Sequence, residues 1–301
     1  LVEYNPQDDI TQRYKPEVAL TRTGKPPQRV VSLVPSMTET LFDIGFGSRV
    51  VGITNDCLLP EGKLDSKFRV GPMDGVGVDD VAGLRPDLVI VNREENTAAD
   101  IDSLEAAGLT VWKTFPRTVL EAMNLIWDTL HSFQVDNRML YERVNLINRS
   151  IDWVGSTSEA KDDRGVVCKV FAPLLPDPLT TFGPDTYAHD LIRTAGGTNI
   201  FADRVPTGTG DPAEDVSRYP TVTRDDVVAA QPDVILLPGY PLRFTQANVD
   251  EFTKLDIPAA RFGQIYLVDG TLLTYHGTRL ARALNELSEI MCPVEDDHDT
   301  I

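Results

Sequence analysis

One short pattern occurs twice in this chain. Asp79-Asp80-Val81 followed by Pro86-Asp87-Leu88-Val89-Ile90 returns as Asp225-Asp226-Val227 followed by Pro232-Asp233-Val234-Ile235-Leu236, displaced by 146 positions (225 − 79). Each copy reads as a short acid-headed helix that must stop before its proline, since the residue preceding proline is pushed out of the helical region. The apolar run that follows suits a strand buried on both faces of a parallel sheet. Corresponding units in two halves of a chain predict two structurally equivalent β/α lobes.

The surrounding pattern agrees. Apolar runs Val30 to Val34, Val50 to Ile53, Leu88 to Val91 and Thr110 to Trp112 alternate with helical stretches Met37 to Ile44, stopped by Gly45, and Ala98 to Ala107, stopped by Gly108. Ser36 with Glu39 and Thr118 with Glu121 have capping-box spacing. Val119, Met123, Ile126, Leu130 and Phe133 then form a helical stripe that resumes at Leu140, Val144, Ile147 and Ile151, so a break is expected at 134–137 with Asp136 as a new cap. That second helix should run to about Gly155, ahead of a polar stretch from Ser156 to Arg164. A second series follows: Val166 to Phe171, Val234 to Leu237, Ile265 to Val268 and a last helix Thr278 to Met291. The expected plan is an α/β fold: an irregular arm (1–28), a β/α lobe (29–135), a bridging helix (136–160), and a second β/α lobe with an acidic tail (161–301).

Composition removes several functions. The 28 basic against 46 acidic residues leave a net charge of −18, which repels a polyanion, so nucleic acid is not expected as a partner. No apolar run approaches the roughly 18 residues of a membrane span. Because the chain starts at Leu1 without a basic and apolar leader, it is expected to be a processed or trimmed product. Cys57, Cys168 and Cys292 have no CxxC spacing and are expected to form neither a disulfide framework nor a zinc site.

The dinucleotide fingerprint is missing, because the turn after the first run reads Pro35-Ser36-Met37-Thr38, and there is no GxxxxGK[ST] or GxSxG. His131, His189, His276 and His298 lie far apart, without the i+4 pairing of a zinc enzyme. Two segments sit where β/α loops meet ligands. Tyr275-His276-Gly277 offers a phenol and an imidazole, able to act as axial ligands to iron or cobalt, or else forms a plain helix-entry turn. Asn92-Arg93-Glu94-Glu95-Asn96 follows a buried strand at its carboxyl end.

The stretch RVVSLVPSMTETLFDIGFGSRVVGI, the twin DDV…PD motifs, NREEN, DPLTTFGPDTYAHDLIRTAGGTNIF and LVDGTLLTYHGTR resemble the periplasmic binding proteins of ABC importers for vitamin B12, ferric siderophores and haem, most closely the cobalamin-binding branch. The resemblance runs from about Arg29 to Met291. It implies two lobes bridged by one long rigid helix, with a ligand cleft between them. It also implies an extracytoplasmic location, periplasmic or lipid-tethered, and no catalysis or required cofactor. The role would be capture of a bulky metal-chelate, cobalamin before haem or ferric siderophore, for delivery to an ABC permease, by a monomer. Carried over by position, the ligand-binding residues are Ser36, Met37, Asn55, Asp56, Cys57, Met73, Arg93 and Glu94 from the first lobe. The second lobe supplies Phe171, Tyr187, Tyr240, Tyr275 and His276. Asp56 and Met73 stand where cobalamin binders often place aromatics. Asp79 and Asp225, with Asp80 and Asp226 beside them, take the permease-docking positions. The other classes open to the sequence are an enzyme or chelatase on the same scaffold and a free-metal receptor.

Overall fold

The computed structural model describes residues 25–135, 137–162, 167–205, 208, 213 and 215–291. Most of the expected arm, Asp136, Val166, Cys292, His298 and the acidic tail lie outside the described residues. The chain divides into two compact units, one running to Phe115 and including Leu120–Tyr141, the other made of Pro116–Val119 and everything from Glu142 on.

The first unit is built on strands β1 (Val30–Ser32), β2 (Val50–Ile53), β3 (Phe68–Arg69), β4 (Leu88–Asn92) and β5 (Val111–Thr114), in the order β3-β2-β1-β4-β5. Every pairing is parallel. Helices α1 (Pro35–Asp43), α2 (Val78–Gly83), α3 (Ala98–Ala106) and α4 (Val119–Ser132) alternate with the strands along the chain. Val31, Leu33, Val81, Val89, Val91, Ile101 and Leu104 form one buried cluster, as continuous apolar strands with amphipathic helices require.

Two local expectations change. The Ser36/Glu39 spacing does not cap α1: the helix starts at Pro35, which is pre-set for a first helical position, and its N-cap Val34 makes no side-chain bond. The break between α4 and the next helix falls where expected, with Gln134 at φ 51° and Asn137 Oδ1 accepting the Met139 N–H at 3.1 Å. That helix, α5 (Arg138–Asp162), continues well past Gly155. The stretch expected to be a polar linker contains Glu159, Ala160 and Lys161, all strong helix formers.

In the second unit β6 (Lys169–Phe171), β9 (Thr198–Asn199), β10 (Val234–Pro238) and β11 (Ile265–Val268) form a parallel sheet in the order β11-β10-β6-β9. An antiparallel pair, β7 (Pro173–Pro176) with β8 (Leu179–Thr181), stands apart from it. The helices are α6 (Tyr187–Thr194), α7 (Arg224–Ala230), α8 (Gln246–Phe252), α9 (Pro258–Arg261), α10 (Thr271–Thr274) and α11 (Leu280–Ile290). Pro116–Val119 is pinned here: Arg117 pairs with Asp185 at 3.0 Å and the Val119 N–H donates to Asp190 Oδ2 at 2.7 Å. Cys168 is disulfide-bonded, whereas Cys57 is a free buried thiol. A lone cysteine pair has no spacing signature, so sequence carries no sign of it.

The repeat now has a physical meaning. Asp87 accepts the N–H groups of Gln28 and Arg29 at 2.8 and 3.1 Å, and Asp233 accepts the N–H of Lys169 at 2.9 Å. Each aspartate thus fixes the start of the neighbouring parallel strand, β1 or β6. Val30 then pairs with Leu88 in the first sheet and Val170 with Val234 in the second.

Candidate functional site

Open parallel sheets bind ligands outside the carboxyl ends of their strands, where the strand order reverses. In the first unit that edge lies beyond β1 and β4, in the second beyond β6 and β10, and most of the expected site residues fall at these two edges.

At the first edge one side chain ties several loops together. Asn96 Nδ2 donates to the Met73 carbonyl at 2.8 Å and the Leu33 carbonyl at 3.3 Å, and its Oδ1 accepts the Asn92 N–H at 2.8 Å. Asp56 Oδ2 accepts the Met73 N–H at 2.8 Å, so Met73 is held through both backbone groups. Asn92 Oδ1 accepts the Glu94 N–H at 2.8 Å. The Arg93 guanidinium lies 5.5 Å from the Phe115 ring centroid. Glu95, carried in the flanking run but not singled out, has its carboxyl pushed up to about 8 by burial and by the Glu94 and Asp56 carboxylates. Near neutral pH it is a neutral acid able to donate a hydrogen bond.

The structure brings Asp56, Met73 and Glu94 together, adds Asn92, Glu95 and Asn96, and leaves Asn55 exposed. Ser36, Met37 and Cys57 are buried. The Cys57 sulfur lies 3.2 Å from Thr38 Oγ1 and 3.3 Å from Thr54 Oγ1, and burial raises its thiol. The Thr38 contact ties the Asn55–Cys57 turn to α1.

At the second edge Tyr240 is 55% exposed and its loop is fixed by the next one, the Gly270 N–H donating to the Tyr240 carbonyl at 2.8 Å. A Cβ on Gly270 would meet that oxygen at 2.7 Å, so only glycine permits this approach. Tyr187, Tyr275 and His276 are buried together: the Tyr187 hydroxyl reaches the Tyr275 carbonyl at 3.5 Å, and the Tyr187 and His276 rings meet edge-on at 6.2 Å. Burial lowers His276 to about 4, leaving a neutral imidazole, and pushes the Tyr187 phenol up. Arg279 lies 5.8 Å from the Tyr275 ring. Phe171 is a correction. Strand alternation turns it away from the edge into the core against Phe201 and Phe252, with centroids at 5.7 and 5.9 Å. Among the described residues no three His, Cys, Asp or Glu side chains gather to hold a metal ion.

Of the paired aspartates, Asp226 closes a capping box with Thr223 and reaches Arg204 at 3.4 Å. Asp79 and Asp225, in the first turns of α2 and α7, are exposed, and their carboxylates meet no hydrogen-bond or ion-pair partner among the described residues.

The family model described as periplasmic binding protein matches residues 30–271. The chain belongs to the periplasmic binding protein family. A vitamin B12-binding protein of Yersinia pestis is 26% identical over 242 residues, covering 79% of this chain and 78% of that protein. An uncharacterized ABC transporter substrate-binding lipoprotein of Bacillus subtilis is 27% identical, covering 89% and 81%. Among solved structures, the vitamin B12-binding protein BtuF of Vibrio cholerae has a TM-score of 0.69 at 20% identity, covering 88% of this chain and 97% of that one. The haem-binding protein RhuT of Roseiflexus matches with the same TM-score and coverage at 22% identity. Membership makes this chain an extracytoplasmic solute-binding protein, and among the described residues no helix is long and apolar enough to cross a membrane.

Proposed function

We propose that this chain captures a cobalamin-type metal-chelate at the carboxyl edge of its first sheet and delivers it to an ABC permease, without catalysis. The ligand class draws support from the named relatives. The preference within the class rests on the first edge, where Asp56, Glu94 and the largely protonated Glu95 gather near Arg93, and where Arg69 is held on the Thr54, Asn55 and Cys57 carbonyls. Such a surface suits a corrin ringed by neutral amides, which offer donors to carboxylates and an acceptor to a protonated acid. The carboxylates of haem and the anionic oxygens of most ferric siderophores would meet like charge there. In this reading Asn55, Asp56, Met73, Arg93 and Glu94 touch the ligand.

Haem or a ferric siderophore is the second reading, favoured by the neutral imidazole of His276 beside Tyr275, a donor set suited to iron once a ring rotates outward. Thermal-shift measurements with cyanocobalamin, haemin and ferric siderophores separate the two. A ligand at 100 times its Kd stabilises by about 2.7 kcal/mol, and cobalamin alone should do so. A shift with haemin and none with cobalamin reverses the order.

For delivery, Asp79 and Asp225 are the docking residues, because Asp226 is engaged in its cap while these two point to solvent unpaired. Asp79→Asn with Asp225→Asn should keep ligand affinity and lower uptake by vesicles carrying the partner permease. Undiminished uptake removes the assignment.

A further inference from the structure

The outer face of α5 carries a feature that ligand capture does not use. Met139, Leu146 and Trp153 are 74%, 58% and 73% exposed. They are spaced seven residues apart, so with a drift of only about 20° per heptad they form one apolar line along the helix. The helix already has a buried side, at Val144 and Val154, so this line is a second apolar face. Large side chains in such a row mark an interaction surface.

Charges beside the line identify the occupant. Exposed Glu142 and Arg149 lie on one flank, with Glu142 about 6 Å before Leu146 along the axis and Arg149 about 4.5 Å after it. Exposed Arg143 and half-buried Ser150 lie on the other flank. A second α5 placed antiparallel about a two-fold axis at Leu146 brings Glu142 of each copy opposite Arg149 of the other. Met139 then meets Trp153, Leu146 meets Leu146, and Arg143 faces Ser150, so no like charges oppose.

We propose that two copies of this chain associate through antiparallel pairing of α5. This departs from the monomer expected from the sequence. The surface is isologous, as a two-fold contact requires. A few side chains from each copy place it at the small, transient end of interface sizes. Sedimentation equilibrium over a range of protein concentrations should therefore show a reversible monomer–dimer equilibrium. Leu146→Glu, which sets two carboxylates on the axis, should weaken association at least tenfold while the melting temperature holds. Glu142→Arg and Arg149→Glu should each weaken it, and the two together should restore it, because the pair is only exchanged. A monomer at every concentration overturns the proposal, and so does a dimer indifferent to Leu146→Glu or a double exchange that fails to restore association. Monomeric protein that instead co-sediments with phosphatidylcholine vesicles through Trp153 would make the face a lipid contact and would also overturn it.

Discussion

The two sheets share a strand plan but fill it differently. β2-β1-β4-β5 in the first unit corresponds to β9-β6-β10-β11 in the second, and at matching register Val31 pairs with Val89 where Phe171 pairs with Ile235. The cluster around Val31 and Val89 in the first unit is built from valine, leucine and isoleucine, and the unit's buried Phe133 packs outside it, 4.7 Å from Phe46. The second packs Phe171, Phe201, Phe244 and Phe252 around its strands and carries the Cys168 disulfide. Parallel pairing and the clamps at Asp87 and Asp233 set the backbone plan, while side-chain volume is free to vary as long as each core closes on itself.

Truncation at the matched position should separate the two cores most. Phe171→Ala removes an aromatic with two ring neighbours and should cost about 3–5 kcal/mol. Val31→Ala loses two buried methyls, about 1.6 kcal/mol. Urea denaturation monitored by hydrogen exchange in each unit measures both, and equal losses would mean that the aromatic core adds nothing.

Reduction is the next largest test. Losing a native disulfide costs about 2–5 kcal/mol, so dithiothreitol should lower protection in the second unit and leave the first, with its free Cys57, unchanged. A uniform loss would show that the bond supports both. The bond also fits an oxidising compartment, consistent with an extracytoplasmic protein.

The clamps offer a finer comparison. Asp87 accepts two backbone N–H groups and Asp233 one. Asp87→Ala should therefore cost more than Asp233→Ala, within about 1–3 kcal/mol for hydrogen bonds to an exposed charge. The reverse order would make the half-buried setting of Asp233 count for more than the number of bonds.

Much of this plan was legible because both sheets are buried on two faces, which leaves continuous apolar runs such as Leu88 to Val91 and Val234 to Leu237. The β7–β8 pair was not, because Pro173 and Pro176 read as strand breakers, and a pair standing outside the main sheet tolerates them. The site was partly legible. Glu94 is read from its position after a buried strand, whereas Asp56, Met73 and Phe171 come only from the family resemblance, and the register of Phe171 turns it into the core. Glu95 lay in plain view within its run, but its protonation depends on the Asp56 carboxylate, thirty-nine positions away, and on burial, neither of which a local pattern contains.

The smallest expected effect contrasts the two edges through pH. Glu95 moves from an ordinary 4.5 to about 8, so between those values the folded chain holds a proton that the unfolded chain has released, and stability falls as pH rises. His276 moves from 6.5 to about 4, so in that window the unfolded chain holds the extra proton and stability rises with pH. One proton amounts to about 1.4 kcal/mol per pH unit. From about pH 4.5 to 6.5 the Glu95 and His276 slopes oppose, Asp128, which burial raises to about 6, adds a decline below pH 6, and from about 6.5 to 8 Glu95 dominates. Melting curves should therefore decline across pH 6.5–8 in the native chain and stay level in Glu95→Gln. His276→Gln, by contrast, should unmask the Glu95 decline at lower pH, beginning near 4.5. If Glu95→Gln keeps the native slope, Glu95 ionises normally. The first edge would then carry three negative charges with no protonated donor, removing the argument for an amide-ringed ligand while leaving the fold and family untouched.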